Sequence, residues 1–151
     1  MEFHYDRTSS QANRKITIMY LDNDPISRKV LSMGLPKKVD INLISESESI
    51  SVLKFLKEHP NEVDLLIQDH IRPDINGIEF LSIIRSDESM RRLPVIFLTD
   101  GFPHEEDYKR VDELDAQVVE KPMTDAQELI DAISLAVKEN PKKLIYTGKG
   151  S

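Results

Sequence analysis

Apolar residues along the chain fall into five short clusters separated by stretches of helical periodicity. The clusters are KITIMYL (15–21), INLIS (41–45), VDLLIQ (63–68), PVIFLT (94–99) and AQVVE (116–120). KITIMYL is β-branched and apolar on both faces, as a strand in the middle of a parallel sheet should be. Between the clusters, apolar residues recur every three or four positions, which indicates helices. The pattern therefore predicts five strands that alternate with five helices.

The predicted helices begin and end at residues suited to those positions. The first runs from Pro25 to about Leu35, with Asp24 able to cap it and Pro25 suited to its first turn. The second ends near Pro60, the third follows the loop DHIRPDING, the fourth covers 103–114, and Thr124 is a plausible cap for the fifth. This alternation indicates a doubly wound α/β fold: a five-stranded parallel sheet with right-handed crossovers and helices on both faces.

The length of 151 residues suits one domain with short tails. We expect an N-terminal tail over 1–14, a single domain over 15–138 and a C-terminal tail over 139–151. The apolar fraction of 39% is enough for one core but not for two.

Composition excludes several classes of function. The formal net charge of −7 argues against binding nucleic acid or an anionic membrane, because both need Lys and Arg in excess. The lack of cysteine excludes disulfides and thiol catalysis. No stretch approaches the roughly 18 apolar residues of a membrane span, and the polar N-terminus is unlike a signal peptide, so we expect a cytoplasmic protein. His70 and His104 have no partners at metal-ligand spacing, and we expect both to be solvated.

Polar side chains stand at the carboxyl ends of four predicted strands. In a parallel sheet these ends share one edge, and the functional crevice lies beyond it. Carboxylate and carbonyl oxygens hold hard cations such as Mg²⁺, and a carboxylate can also act as a nucleophile. Ammonium and hydroxyl groups can bind phosphoryl oxygens. The residues are Asp22, Asn23 and Asp24 after strand one, Asp69 after strand three, Thr99 ending strand four, and Lys121, followed by Pro122, after strand five.

Four segments in chain order resemble the receiver domains of bacterial response regulators: LDNDP, DLLIQDHIRPDINGIEFL, PVIFLTD and VVEKP. The resemblance covers roughly residues 15–138. It implies a flavodoxin-like fold with strand order 2-1-3-4-5. It also implies that Asp69 takes a phosphoryl group from a histidine kinase or phosphotransfer protein. The domain would then be a two-component signalling protein and not an enzyme. Its output would be contact with a downstream target protein, and receivers of this kind often form homodimers.

The resemblance further implies a Mg²⁺ site made of Asp22, Asn23, Asp69 and the backbone carbonyl of Ile71. The family carries an acidic residue where this chain has Asn23. An amide offers a neutral oxygen in place of a charged one, so we expect weakened Mg²⁺ affinity. We expect Asp24, one residue on, to point elsewhere.

Two more roles follow from the resemblance, and two departures bear on them. Lys121 would pair with Asp69 and then with the phosphoryl oxygens, while Thr99 would move to bond the phosphoryl group and so report its presence. Asp100 places a negative charge where the family has a small residue, which opposes the incoming group. Val118 stands where the family has Tyr or Phe, so the usual coupling of a threonine shift to an aromatic rotation is absent.

Two rival functions stay open. A pseudo-receiver would keep the fold while its chemistry has weakened, and would act as a phosphorylation-independent protein-binding module; Asn23, Asp100 and Val118 favour it. A small α/β phosphohydrolase also uses Asp and Mg²⁺, but the acid/base Asp that it needs two residues beyond Asp69 is Ile71 here.

Overall fold

A computed structural model describes residues 15–121 and 126–147, so the predicted tail 1–14, Pro122 and Thr124 lie outside the described residues. Within these ranges no helix is long and apolar enough to cross a membrane. The elements are β1 (Ile16–Leu21), α1 (Pro25–Gly34), a 3-10 turn (Leu35–Lys37), β2 (Val39–Glu46), α2 (Ser49–Glu58), β3 (Leu65–Gln68), α3 (Gly77–Ser86), β4 (Val95–Thr99), α4 (Glu105–Glu113), β5 (Gln117–Glu120), α5 (Gln127–Ala136) and β6 (Ile145–Tyr146).

The sheet confirms the predicted fold and adds one strand to it. The strand order is β5-β4-β3-β1-β2-β6, and β1 to β5 pair in parallel in the expected order 2-1-3-4-5. The short strand β6 pairs antiparallel with β2, so the sheet is mixed rather than wholly parallel. Strand β6 has only two residues, Ile145 and Tyr146, which are too few to show the alternation that predicts a strand.

Asp24 caps α1, as the sequence predicts. Its carboxylate accepts hydrogen bonds from the Ile26 amide at 3.2 Å and from the Ser27 hydroxyl at 2.7 Å. The bond from the Ile26 amide satisfies one of the backbone donors that the first turn of a helix leaves without a partner. The Asp24 side chain is therefore engaged at the helix start, which agrees with its exclusion from the predicted cation site.

Each face of the sheet has its own apolar core, because successive strand residues point to opposite sides. On β1, Ile18 and Tyr20 join the core beneath α1 and α5. Met19 and Leu21 join the core beneath α2, α3 and α4. Since both faces are covered, the central strands are held firmly, and so are the residues at their ends.

Part of the predicted C-terminal tail packs on the domain. Asp64, just before β3, accepts hydrogen bonds from Lys142 Nζ at 2.7 Å, Asn140 Nδ2 at 2.9 Å and the Thr17 amide at 2.8 Å. Leu144 packs against the core on the α1–α5 face. These contacts lead the chain to the edge of β2, where β6 covers part of that edge.

We predict that Gly77→Ala destabilises the fold by about 1–3 kcal/mol, the usual cost of overpacking. A Cβ at this position would lie 2.5 Å from Phe97 Cε1 and 3.0 Å from the His70 Cα, and the latter is backbone that cannot move aside easily. Urea denaturation measures the loss. Gly34→Ala is the matched control: a Cβ there meets nothing within 4 Å, so helix propensity should stabilise it slightly. Equal effects at the two glycines would contradict the packing argument.

A second substitution tests the anchor of the C-terminal segment. Lys142→Met removes the cation from Asp64, whose side chain is only 7% exposed. An under-satisfied buried carboxylate should lower the free energy of unfolding by about 1–3 kcal/mol. Lys143→Met, one residue along and exposed, should change it by less than about 0.5 kcal/mol. If the two variants unfold at the same denaturant concentration, the Asp64 anchor contributes nothing to stability.

Candidate functional site

The first carboxylate of the site, Asp22, follows β1 and is completely buried. Its amide donates to the Glu46 carbonyl at 3.0 Å, which fixes the end of β1 against β2. Its Oδ1 accepts from the Asp24 amide at 2.9 Å, and its Oδ2 accepts from the Tyr20 hydroxyl at 2.8 Å. Asp22 is thus a buried carboxylate held through both of its oxygens.

The second carboxylate, Asp69, follows β3 and lies beside the first. Its amide donates to the Leu21 carbonyl at 3.1 Å, so the two carboxylates sit on hydrogen-bonded neighbouring strands. Lys121, at the end of β5, links them: its Nζ is 3.4 Å from Asp22 Oδ2 and 3.8 Å from Asp69 Oδ2. Residues far apart in sequence therefore meet at one edge of the sheet.

Thr99 completes this edge. It ends β4, is buried, and its carbonyl accepts from the Lys121 amide at 2.8 Å. Burial raises the pKa of Asp69, while Lys121 and a hydrogen bond from the Thr99 hydroxyl act in the opposite direction without cancelling it. The structure thus brings Asp22, Asp69, Thr99 and Lys121 together.

The two remaining predicted ligands, Asn23 and Ile71, are exposed residues next to the carboxylates. Asn23 follows Asp22 directly, and Ile71 lies two residues beyond Asp69 with its side chain 64% exposed. Among the described residues there is no cluster of three or more His, Cys, Asp or Glu side chains suited to a metal ion. The donors are nevertheless all oxygens, and carboxylate, amide and carbonyl oxygens are what Mg²⁺ takes. The residues fit a hard cation, with two charged ligands in place of three.

The loop between β3 and α3 is built around a buried cation that sequence reasoning missed. The side chain of Arg72 is 0% exposed. Its guanidinium donates to Gln68 Oε1 at 2.8 Å, to the Asp69 carbonyl, and to Ser49 Oγ at 2.9 Å, and it lies over the Phe80 ring. It therefore ties the backbone at Asp69 to the end of β3, to the start of α2 and to α3.

His70 is buried, so the prediction that it is solvated is wrong. It is 5% exposed, and its ring packs edge-on against Phe102 with centroids 4.8 Å apart. Burial lowers its pKa, which keeps the imidazole neutral near pH 7. Phe102 in turn packs edge-on against Tyr108 at 4.8 Å, and the Tyr108 hydroxyl donates to Glu120 Oε2 at 2.8 Å. A chain of aromatic rings thus leads from the β3–α3 loop to β5.

Two further residues matter to the site, and only one left a signal in the sequence. Tyr20 precedes Asp22 by two positions, so a strand places both on the same face, and its phenol oxygen could have been expected near that carboxylate. Arg72 gave no such signal, because its acceptor Ser49 comes from a different helix, and nothing in the loop sequence indicates that this helix start lies beside it.

Comparison with known families gives a match over most of the chain. The family model described as the response regulator receiver domain matches residues 18–134. Among curated proteins, the two-component response regulator ORR22 of Oryza sativa is 32% identical over 82 residues, which cover 54% of this chain and 11% of that protein. The chemotaxis protein CheY-3 of Vibrio cholerae is 27% identical over 88 residues, covering 58% of this chain and 65% of that protein. The chain therefore matches only about a tenth of the length of the plant regulator.

Solved structures show the same fold at low sequence identity. The chemotaxis response regulator CheY4 of Vibrio cholerae has a TM-score of 0.68 at 18% identity, over 81% of this chain and 98% of that one. The receiver domain of the histidine kinase CKI1 from Arabidopsis thaliana, complexed with Mg²⁺ and BeF₃⁻, has a TM-score of 0.67 at 18% identity, over 82% and 90% of the two chains.

The raised pKa of Asp69 predicts that Asp69→Asn stabilises the fold at pH 7. A carboxyl whose pKa is higher in the folded state than in the unfolded state favours folding when protonated, and that contribution is lost as the pH rises through the folded value. The side-chain amide of the variant is neutral at every pH, so Asp69→Asn does not lose this contribution to stability. Urea denaturation with a chelator present should show the variant to be the more stable protein at pH 7, with a difference that shrinks toward about pH 4.

Asp74→Asn is the control for this prediction, and it should show the opposite sign. Burial acts to raise the pKa of Asp74, but hydrogen bonds from the Ser49 amide, the Ile75 amide and the Ser49 hydroxyl together lower it. This variant should therefore be less stable than wild type at pH 7. A loss of stability at pH 7 in Asp69→Asn as well would show that its pairing with Lys121 outweighs desolvation.

Proposed function

This chain belongs to the response regulator receiver domain family of two-component signalling, and from that premise we propose that Asp69 accepts a phosphoryl group from a histidine kinase or phosphotransfer protein. The observation that carries the proposal is the position of Lys121 Nζ, 3.4 Å from Asp22 and 3.8 Å from Asp69. An ammonium held between two carboxylates at an accessible edge suits a reaction in which anionic oxygens arrive at one of them.

Asp69 is the nucleophile in the proposed reaction. One of its carboxylate oxygens forms a bond to phosphorus while the bond from phosphorus to the donor imidazole nitrogen breaks, and that nitrogen keeps the electron pair. Its side chain is 16% exposed, which leaves it open to a donor at the strand ends. Burial raises its pKa, and a more basic carboxylate is a stronger nucleophile.

Lys121, Thr99 and Asp22 act on the oxygens around phosphorus. The Lys121 ammonium offsets the negative charge that the phosphoryl group adds beside Asp69, and the Thr99 hydroxyl supplies a neutral donor on the neighbouring strand. Asp22, Asn23, Asp69 and the Ile71 carbonyl would hold Mg²⁺, which when bound neutralises charge on the transferring oxygens. The Mg²⁺ in the CKI1 receiver structure supports this assignment. Asn23 removes one charged ligand and weakens the affinity.

The output of the domain in this proposal is contact with a downstream protein through the α4–β5–α5 face. The aromatic chain from His70 through Phe102 to Tyr108 ends at this face, on Glu120. It offers a route for the signal where Val118 removes the aromatic residue expected on β5. A homodimer through the same face, and a cytoplasmic location, belong to the proposal as well.

The alternative proposal is a pseudo-receiver, a binding module that works without phosphorylation. Three observations favour it: Asn23 leaves two acidic ligands, Asp100 is exposed immediately after Thr99, and Val118 interrupts the expected coupling. In this case the fold and its surfaces would carry the function, and Asp69 would only need to be compatible with folding.

Incubation with acetyl phosphate and Mg²⁺, followed by intact mass measurement, separates the two proposals. We expect wild type to gain the mass of one phosphoryl group and to lose it on treatment with hydroxylamine, which cleaves acyl phosphates. Asp69→Asn should gain none. Asp112→Asn, an exposed carboxylate on α4, should behave as wild type.

The result that favours the pseudo-receiver is equally specific. Wild type would then show no mass gain with acetyl phosphate or with the phosphorylated form of any phosphotransfer protein tested, at Mg²⁺ concentrations that overcome a weak site. A mass gain that persists in Asp69→Asn would place the modification elsewhere and overturn the assignment of the acceptor.

A further inference from the structure

The residue that the proposed chemistry has not used is Tyr20, a buried phenol that reaches into the site from β1. It is 1% exposed, and its hydroxyl donates to Asp22 Oδ2 at 2.8 Å. The two residues are separated by one position, so the pleat of the strand puts them on the same face. An ionised carboxylate only accepts hydrogen bonds, so the phenol is the donor in this contact.

The hydrogen bonds of Asp22 leave it little freedom. An ionised carboxylate has about four lone-pair positions. Oδ1 accepts from the Asp24 amide, while Oδ2 accepts from the Tyr20 hydroxyl and faces the Lys121 ammonium at 3.4 Å. Within residues 15–121 and 126–147, three positions are thus occupied, and the fourth, on Oδ1, has no partner among them.

Without the hydroxyl, Lys121 would be the only described side-chain partner of Oδ2. The Asp24 amide is fixed at the start of α1, so the Tyr20 hydroxyl supplies the second fixed point that prevents the carboxylate from turning toward the ammonium. This matters more here than in a site with three acidic ligands. Because Asn23 is neutral, cation binding depends on how well Asp22 and Asp69 are placed.

We propose that Tyr20 is a positioning residue that orients the Asp22 carboxylate for the cation used in phosphoryl transfer. The inference rests on the proposed function, in which Asp22 helps to hold Mg²⁺. Groups that hydrogen-bond to metal ligands fix their orientation, and their loss typically lowers metal affinity by about 10- to 100-fold. Tyr20→Phe should therefore weaken Mg²⁺ binding by about tenfold.

Calorimetric titration of the full chain with MgCl₂ measures this effect directly. The comparison needs wild type, Tyr20→Phe and Tyr20→Leu. Tyr20→Phe removes the hydroxyl and keeps the ring, whereas Tyr20→Leu removes both, so the two variants separate the effect of the hydroxyl from that of the ring. Ser89→Ala is the control, because the Ser89 hydroxyl also donates to a carboxylate, Asp87 at 2.6 Å, that is not one of the proposed ligands. Urea denaturation of each variant separates a loss of stability from a loss of affinity.

The phosphorylation rate gives a second readout that general damage would not reproduce. At low Mg²⁺, Tyr20→Phe should take the phosphoryl group from acetyl phosphate about tenfold more slowly than wild type. At saturating Mg²⁺ the two rates should converge, because the hydroxyl acts on cation binding and not on the nucleophile. Ser89→Ala should follow wild type at both concentrations.

The possible outcomes separate a failure of the Tyr20 proposal from a failure of the proposed function on which it rests. If wild type binds Mg²⁺ and Tyr20→Phe binds it equally well or more tightly, the hydroxyl does not position Asp22, and the inference fails alone. If neither protein binds Mg²⁺, the proposed cation site fails and the inference fails with it. A rate deficit in Tyr20→Phe that persists at saturating Mg²⁺ also overturns the positioning role.

Discussion

The parallel pairing of β1, β3, β4 and β5 is the constraint on which the site depends. Parallel strands hydrogen-bonded in register end at the same edge, so the residues that follow them are neighbours whatever their distance in sequence. Two carboxylates placed so close would repel each other in a poorly solvated environment. The Lys121 ammonium, contributed by the most distant of these strands, offsets that repulsion. The strand order therefore also provides the charge compensation, since it brings Lys121 to Asp22 and Asp69.

Much of this arrangement follows from the sequence, because local signals agree with one another. Clusters of β-branched residues, helical spacing between them, and Asp24 with Pro25 at a helix start indicated the five alternations that the structure contains. The strand β6 escaped prediction for a physical reason. Two residues are too few to show a period, and the segment that leads to their pairing with β2 is held by Asp64 and Lys142, a contact between residues far apart in the chain.

The candidate site likewise has a part that the sequence predicts and a part that it does not. Residues that end strands can be found from the sequence, since the strand ends themselves can be found. The surroundings of those residues could not be predicted from the sequence. His70 looks like a loop histidine, yet Phe97 and Phe102 enclose it, and only the tertiary fold brings these two rings to it. The lowered pKa of His70 therefore results from tertiary packing, and the spacing of residues in the sequence could not have predicted it.

The buried guanidinium of Arg72 limits how this loop can be used in protein engineering. Its hydrogen bonds reach Gln68 on the preceding strand and Ser49 on another helix, so the loop cannot be moved alone into another protein. A chimera that received the loop alone would bury a cation among acceptors that do not fit it. A workable graft would have to carry the strand end and the helix start together, because these three segments share one interior charge.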